Sequence, residues 1–331
     1  MSQFRALRLH REDADQVPVL QLEMLSVDAL SPGNVILACD YSSLNYKDAL
    51  AITGKGKVIR TFPMIPGIDA AGSVTESDDP QFRPGDRVVL TGHGVGENHT
   101  GGMAQRVRVP GSYLVHLPTT LSTRHAMQFG TGGLTGMLCV MALIDAGVKP
   151  VDGSVLVTGA SGGVGTVATA ILASLGYTVH AVTGRAAEAD RLINLGASVI
   201  ESRADFHAPA KPLESTRWAG VVDTVGGAVL AKVLSQTQYG GTVVATGNAG
   251  GIQLETTVFP FILRNIRLQG VDSVQASQEA RERAWRLLAE HLPERLMESS
   301  VEVIGLDEVG QAAVRLINNQ VSGRIVIDVN R

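Results

Sequence analysis

Cysteine is nearly absent: the chain of 331 residues holds two, Cys39 and Cys139. Both stand in apolar surroundings, which reads as two buried thiols in a reducing compartment and not as a disulfide. A basic excess is also missing. The formal net charge of −4 argues against a nucleic-acid partner, which normally leaves a basic patch, but leaves room for an anionic small ligand. No apolar run is long enough to span a bilayer: the best, around 134–148, is broken by glycines and Asp145. The opening MSQFRALRLHRED alternates and carries charges, so it reads as a first strand and not as a signal peptide. These absences predict a cytoplasmic protein with neither membrane nor nucleic acid among its partners.

The length suggests two domains, and 37 glycines predict many tight turns and close backbone approaches to a ligand. Residues 1–124 are turn-rich, with short β runs such as VILACDYSSL and DRVVLTG. Residues 125–270 alternate strand and helix: GSVLVTG, a helix over 164–175, TVHAVTG, a helix over 187–195, WAGVVDTVG, a helix over 228–236, GGTVVATGN and NIRLQGVDS. That rhythm predicts an α/β fold with a doubly wound parallel sheet. After a charged amphipathic helix, the strands of 271–331 do not fit it, so this segment is expected to rejoin residues 1–124.

Between the strand VLVT and the following helix stand Gly159, Gly162, Gly163 and Gly165, with Ala160 in the place of the first glycine of G-x-G-x-x-G. Strand, glycines, helix and second strand follow at the lengths a dinucleotide diphosphate requires: a tight turn, unobstructed backbone, and N–H groups of a helix N-terminus facing the anion. An NAD site usually places Asp or Glu after the second strand to accept from the ribose hydroxyls. Thr183, Gly184 and Arg185 stand there instead. All three are donors, and a guanidinium pairs well with a phosphate. The predicted cofactor is therefore NADPH, with Arg203 as a second reach toward the adenosine end; a solvated Arg185 is the alternative.

The stretches SSLNYKDALAITGKG (42–56), FPMIPGIDAAGSV (62–74), PGDRVVLTG (84–92), GTGGLTGMLCVMAL (130–143), DTVGG (223–227) and SGRIVIDV (322–329) resemble the medium-chain dehydrogenase/reductase superfamily in its zinc-free, quinone-oxidoreductase-like branch. GVGENHTGG (94–102) and PFILRNIRLQGVDS (260–273) resemble its NADPH-dependent acryloyl-CoA reductases. The resemblance implies a GroES-like β-rich catalytic domain from both chain ends, a Rossmann domain between them, an active site in the cleft and a homodimer. It also implies reduction of the activated double bond of an acyl-CoA, acryloyl-CoA to propanoyl-CoA. Where zinc-dependent members carry a histidine-containing stretch, this chain has Ile-Pro-Gly-Ile-Asp (65–69), and two distant cysteines build neither familiar zinc site. His93 and His99, six apart in a glycine-rich loop, are poorly spaced for a metal.

Without a metal, the charge on the thioester oxygen needs hydrogen-bond donors, and the α-carbon needs a proton. Asn45 and Tyr46 are the catalytic candidates; Tyr46 either donates a proton or only packs on the nicotinamide. Asp48 reads as a turn-holding residue, and Asp69 as a turn carboxylate before a pocket residue. Carried over by position, the family's cofactor contacts fall on Tyr46, Ser161, Gly162, Gly163, Val164, Thr183, Gly184, Arg185, Arg203, Asn248, Ile262, Ser273 and Asn319. Asn248 departs from the apolar residue often found there. Arg264, Arg267 and Arg324 are candidates for a CoA phosphate or simply surface cations. The competing functions are quinone or general enone reduction and, in another class, a non-catalytic NADPH binder.

Overall fold

The computed structural model describes residues 3–13, 16–297 and 301–331. Contacts divide the chain into two units, Met1–Thr131 with Val274–Trp285 and Ser300–Arg331, and Gly132–Ser273 with Arg286–Ser299. The first break lies inside a helix, where sequence patterning had suggested residue 124, and residues 286–299 group with the second unit.

The first unit begins with a hairpin of β1 (Phe4–His10) and β2 (Val19–Leu25). β3 (Val35–Leu44) follows and alternates inward and outward along its first half, as a strand over a one-sided core should. It runs into the short helix α1 (Tyr46–Ile52). β4 (Asp69–Ser77), β5 (Arg87–Thr91), β6 (Arg106–Val109) and β7 (Leu114–His116) complete this part of the sheet. Helix α2 (Thr123–Asp145) corrects the expectation that no apolar run is long enough to cross a membrane: by length and composition it is, but 83% of its apolar window is buried within the protein, as in a core helix. It kinks at Gly130, whose φ of 49° is open to glycine at little cost.

The second unit holds the strand–helix alternation: β8 (Val155–Val157), α3 (Gly163–Ser174), β9 (Val179–Thr183), α4 (Ala189–Asn194), β10 (Val199–Ser202), β11 (Trp218–Asp223), α5 (Gly227–Gln236), β12 (Thr237–Ala245), α6 (Phe259–Arg264) and β13 (Arg267–Gly270). All six strands are parallel, in the order β10-β9-β8-β11-β12-β13. The chain therefore reverses direction of winding between β8 and β11, where ligands sit in such sheets. β8 and β11 are buried along their whole length because helices cover both faces.

Helices α7 (Gln278–His291) and α8 (Glu294–Met297) lead to β14 (Val301–Ile304), α9 (Val309–Ile317) and β15 (Arg324–Asp328). β15 pairs with β3 and β14 with β15, giving a seven-stranded sheet in the first unit. The C-terminal strands thus return to the N-terminal sheet. Their core includes Leu37, Leu44, Val88, Leu306, Val309, Ile325 and Ile327.

Candidate active site

In the second unit, β8 delivers the chain to Gly159 at φ 58°, where a Cβ would also collide with the Thr224 hydroxyl. The floor beneath this turn is polar and closed. Thr158 Oγ1 donates to buried Asp223 at 2.6 Å, Gly226 N donates to the other carboxylate oxygen at 2.7 Å, and Thr224 Oγ1 donates to the Thr158 carbonyl at 2.9 Å. Burial pushes the Asp223 carboxyl upward. Above that floor, α3 starts after Gly162 with no side chain capping its first turn. Its N-terminal amides and the uncluttered backbone of Ser161, Gly162, Gly163 and Val164 fit a diphosphate.

The end of β9, which carries Thr183, Gly184 and Arg185 and no carboxylate, lies beside this loop. Arg185 folds back so that Nη2 donates to the Ser161 carbonyl at 3.0 Å and to its hydroxyl at 3.1 Å, and Thr183 Oγ1 donates to Ser161 Oγ at 3.1 Å. Ser202 of β10 is level with Thr183 of β9 in the parallel register. That register brings Arg203 against Gly184, where its guanidinium occupies the space a Cβ would need. Arg191, which the sequence reading missed, points to the same place: Nη2 lies 3.4 Å from both the Ser161 carbonyl and Thr166 Oγ1, while Nε is bonded to Glu188 at 2.6 Å. No spacing rule in the sequence ties an arginine on α4 to a serine thirty positions earlier. Three guanidinium groups, of Arg185, Arg203 and Arg191, beside a glycine turn suit a 2′-phosphate.

Asn248 is exposed on the loop after β12, which is held by Gly250 N donating to the Val225 carbonyl at 2.7 Å. Ser273 is half-buried after β13. Ser161–Val164, Thr183–Arg185, Arg203, Asn248 and Ser273 therefore all lie at or after carboxyl ends of parallel strands. Ile262 does not join them; it lies on α6, 68% exposed.

In the first unit, Asn45 and Tyr46 open α1. Tyr46 is 58% exposed. Asn45 differs from the catalytic expectation: it is buried, and its amide is spent inside the protein. Nδ2 donates to Asp69 Oδ2 at 2.7 Å and to Ser43 Oγ at 3.2 Å, while Oδ1 accepts from Arg324 Nη2 at 3.1 Å and Nη1 at 3.2 Å. Asp69, fully buried, also accepts from Ser43 Oγ at 2.6 Å, Thr131 N at 2.9 Å and Thr131 Oγ1 at 2.5 Å. The kink at Gly130 makes this possible, since a side chain there would strike the Asp69 carboxylate. The carboxylate thereby caps the residue that follows the kink.

Arg324 is a correction. Instead of standing on the surface toward a phosphate, it is tied to Asn45, Ser43 and the Gln128 carbonyl. Burial lowers its basicity, and the Asp69 and Asp48 charges raise it. Arg264 is likewise occupied by the carbonyls of Glu214, Ser235 and Thr237, and Arg267 reaches the Ala146 carbonyl at 3.1 Å. Asp48 holds the turn through Asn45 N at 2.9 Å and Ile68 N at 3.0 Å. Burial is the main cause that pushes its carboxyl up to about 7. Lys47 pairs with Glu97 at 2.6 Å, and Asn319 follows α9 at φ 56°.

His93 stacks flat on Tyr113, with centroids 4.3 Å apart, and its buried Nε2 has no partner. Burial, then the charge of Arg281, pulls its pKa down to about 4. Cys39 and Cys139 are buried and free, and burial pushes the Cys139 thiol up to about 12. Among the described residues no three His, Cys, Asp or Glu side chains group as a metal site would.

Residues 31–119 match the alcohol dehydrogenase GroES-like domain, and residues 163–290 match the family described as zinc-binding dehydrogenase. The chain is 54% identical to the probable acrylyl-CoA reductase AcuI of Escherichia coli (strain K12), over 98% of this chain and 100% of that one. It is 48% identical to the acrylyl-CoA reductase AcuI of Ruegeria pomeroyi, over 99% of each. The crystal structure of the yhdH oxidoreductase from Salmonella enterica in complex with NADP is similar at a TM-score of 0.95 and 54% identity, covering 98% of this chain and 99% of that one. The parallel sheet with its glycine turn, the GroES-like sheet and these full-length identities agree: the chain belongs to the medium-chain dehydrogenase/reductase family, in its quinone-oxidoreductase-like acryloyl-CoA reductase branch.

Proposed function

We propose that the protein is an NADPH-dependent acryloyl-CoA reductase that adds a hydride to the β-carbon and a proton to the α-carbon, yielding propanoyl-CoA. The observation that carries this reading is the carboxylate-free end of β9, where Arg185 and Arg203 flank Gly184 beside the glycine turn. Identity to two acrylyl-CoA reductases supports the substrate.

NADPH, when bound, supplies the hydride. Ser161, Gly162, Gly163 and Val164 would hold its diphosphate, and Thr183, Gly184, Arg185 and Arg203 its 2′-phosphate. Asn248 and Ser273 stand at strand ends suited to the remaining ribose. Tyr46, Ile262 and Asn319 are assigned to the cofactor on the family pattern alone. The Tyr46 hydroxyl, exposed at the start of α1, is the group we assign to donate to the developing charge or to the α-carbon. Asn45 we assign to holding the backbone from which Tyr46 projects, because its own amide is spent. We read the reduction as zinc-independent because the chain has Ile-Pro-Gly-Ile-Asp (65–69) where zinc-dependent members carry a histidine-containing stretch, and only two distant cysteines.

We also assign a homodimer, supported by β13, an exposed edge strand, with Ile252, Val258, Ile262 and Leu263 exposed on the segment before it. Cytoplasmic location is supported by the two free, buried thiols.

The test is steady-state consumption of NADPH with acryloyl-CoA, with benzoquinone, and with NADH replacing NADPH. Turnover confined to acryloyl-CoA with NADPH is expected. Quinone turnover with an inert thioester overturns the substrate while keeping the cofactor, and inertness to both favours a non-catalytic NADPH binder.

A further inference from the structure

With Arg264 and Arg324 committed to internal carbonyl and amide partners, the phosphates of a CoA substrate need another cationic host. We infer that Arg11 and Lys57, in the cleft beside Phe62, bind the phosphorylated adenosine end of the CoA thioester; this rests on the acyl-CoA reading above.

The cleft has a volume of about 140 Å³ and is walled by Arg11, Gln16, Val17, Pro18, Lys57 and Phe62, among others. Its chemistry is cationic. The segment Gly54–Arg60 carries Lys55, Lys57 and Arg60 with no acid among them. Three other cations of the same unit are paired with carboxylates, Arg8 with Glu23, Lys47 with Glu97 and Arg315 with Glu302, and others such as Arg87 and Arg108 with backbone carbonyls. Among the described residues, Arg11, Lys55, Lys57 and Arg60 have no such partner. Arg11 is instead held by the Phe62 ring, with the guanidinium carbon 4.4 Å from the centroid. That contact fixes a cation at the cleft without neutralising it. The segment that carries Arg11 also holds Glu12 and Asp13, and the Asp13 carboxylate accepts from Gln16 Nε2 at 2.9 Å.

Position argues for CoA in particular. The cleft takes in Ala51 of α1 and the loop that leaves that helix, and Tyr46 is at its other end. Seven helical residues span about 10 Å, a distance shorter than a pantetheine arm. Val17 and Pro18 also wall a second, apolar cleft of about 400 Å³ with Leu20, Ile52 and Val314. Together the two reach the size of a small-molecule site, roughly 300–1,000 Å³. The cationic part suits phosphates and the apolar part suits the dimethyl-bearing arm. The backbone between them is fixed by Gly54 N donating to the Ala51 carbonyl and Gly56 N to the Leu50 carbonyl, both at 3.2 Å.

The experiment compares acryloyl-CoA with acryloyl-N-acetylcysteamine, which carries the same reacting group and no phosphate, in wild type, Lys57→Glu, Arg11→Glu and the charge-conserving Arg11→Lys. Lys149→Glu, an exposed lysine of the other unit, is the control. The ratio of kcat/KM for the CoA thioester over the truncated one is expected to fall about tenfold or more in both glutamate variants, the size of losing one charged hydrogen bond. Arg11→Lys should retain most of the ratio, and added salt should lower it in wild type. An unchanged ratio in Lys57→Glu and Arg11→Glu overturns the site. If wild type does not reduce acryloyl-CoA at all, the functional reading fails by itself. The site is then judged by calorimetry with adenosine 3′,5′-bisphosphate under saturating NADP: binding lost in Lys57→Glu upholds it, and absent or unaltered binding overturns it.

Discussion

Asp69 and Arg185 sit in the two units and show two ways of placing charge. Asp69 is fully buried and surrounded by donors from Ser43, Asn45 and Thr131, with Arg324 closing the network from β15. Arg185 is half-buried, with Nη2 donating to the carbonyl and hydroxyl of Ser161 beside a helix end that has no side-chain cap. The first arrangement is complete within the protein, so it holds a backbone in place. The second stands half-buried beside the open first turn of a helix, where a polar group can meet a ligand from outside. A buried polar group must find its partners in the fold, whereas an open one is available to a ligand.

The largest effect expected from breaking this contrast is in the closed network. Asp69→Ala leaves the Ser43 hydroxyl, the Asn45 amide and Thr131 without their acceptor and removes the negative charge near Arg324; it should cost ~3–5 kcal/mol, as when one partner of a buried charge pair is removed. Urea unfolding measures it; a loss below about 1 kcal/mol would mean that the network is solvated. Next is Tyr46→Phe, which keeps the ring and removes the hydroxyl. If the hydroxyl acts in the transition state, kcat should drop roughly 100-fold, with little change in the KM for NADPH. An unaltered kcat would reduce Tyr46 to packing. Arg185→Ala should weaken NADPH by ~1–3 kcal/mol and leave NADH nearly unaffected. Equal losses for both cofactors would remove the 2′-phosphate from Arg185.

The smallest effect concerns His93, whose folded pKa is about 4 against an ordinary 6.5. The unfolded chain binds the proton more readily, so stability from this group is fully present above pH 6.5 and is lost as pH falls toward 4. His93→Asn, which tolerates the positive φ at this position, should flatten stability across that window in denaturant titrations at several pH values. An unchanged slope would assign the acid sensitivity elsewhere.

The sequence by itself determined what depends on near neighbours. The glycine turn, the helix after it and the donor residues ending the second strand lie within thirty positions, and their spacing is set by local backbone geometry. Arg203 was within reach too, because parallel strands with short crossovers bring successive strand ends together. The turn-holding role of Asp48 was legible because its partner Asn45 is three residues away.

Tertiary structure alone decided the rest. Arg324 meets Asn45 across 279 positions, so nothing in its local pattern distinguishes a buried clamp from a surface cation. Asn45 reads as a catalytic amide until its three partners are in place. Arg191 beside Ser161, and Arg11 with Lys57 across the cleft, are likewise brought together only by chain return. Hydrogen bonds and charge act over a few ångströms of space, and sequence distance carries no record of which long-range pairs folding will bring that close.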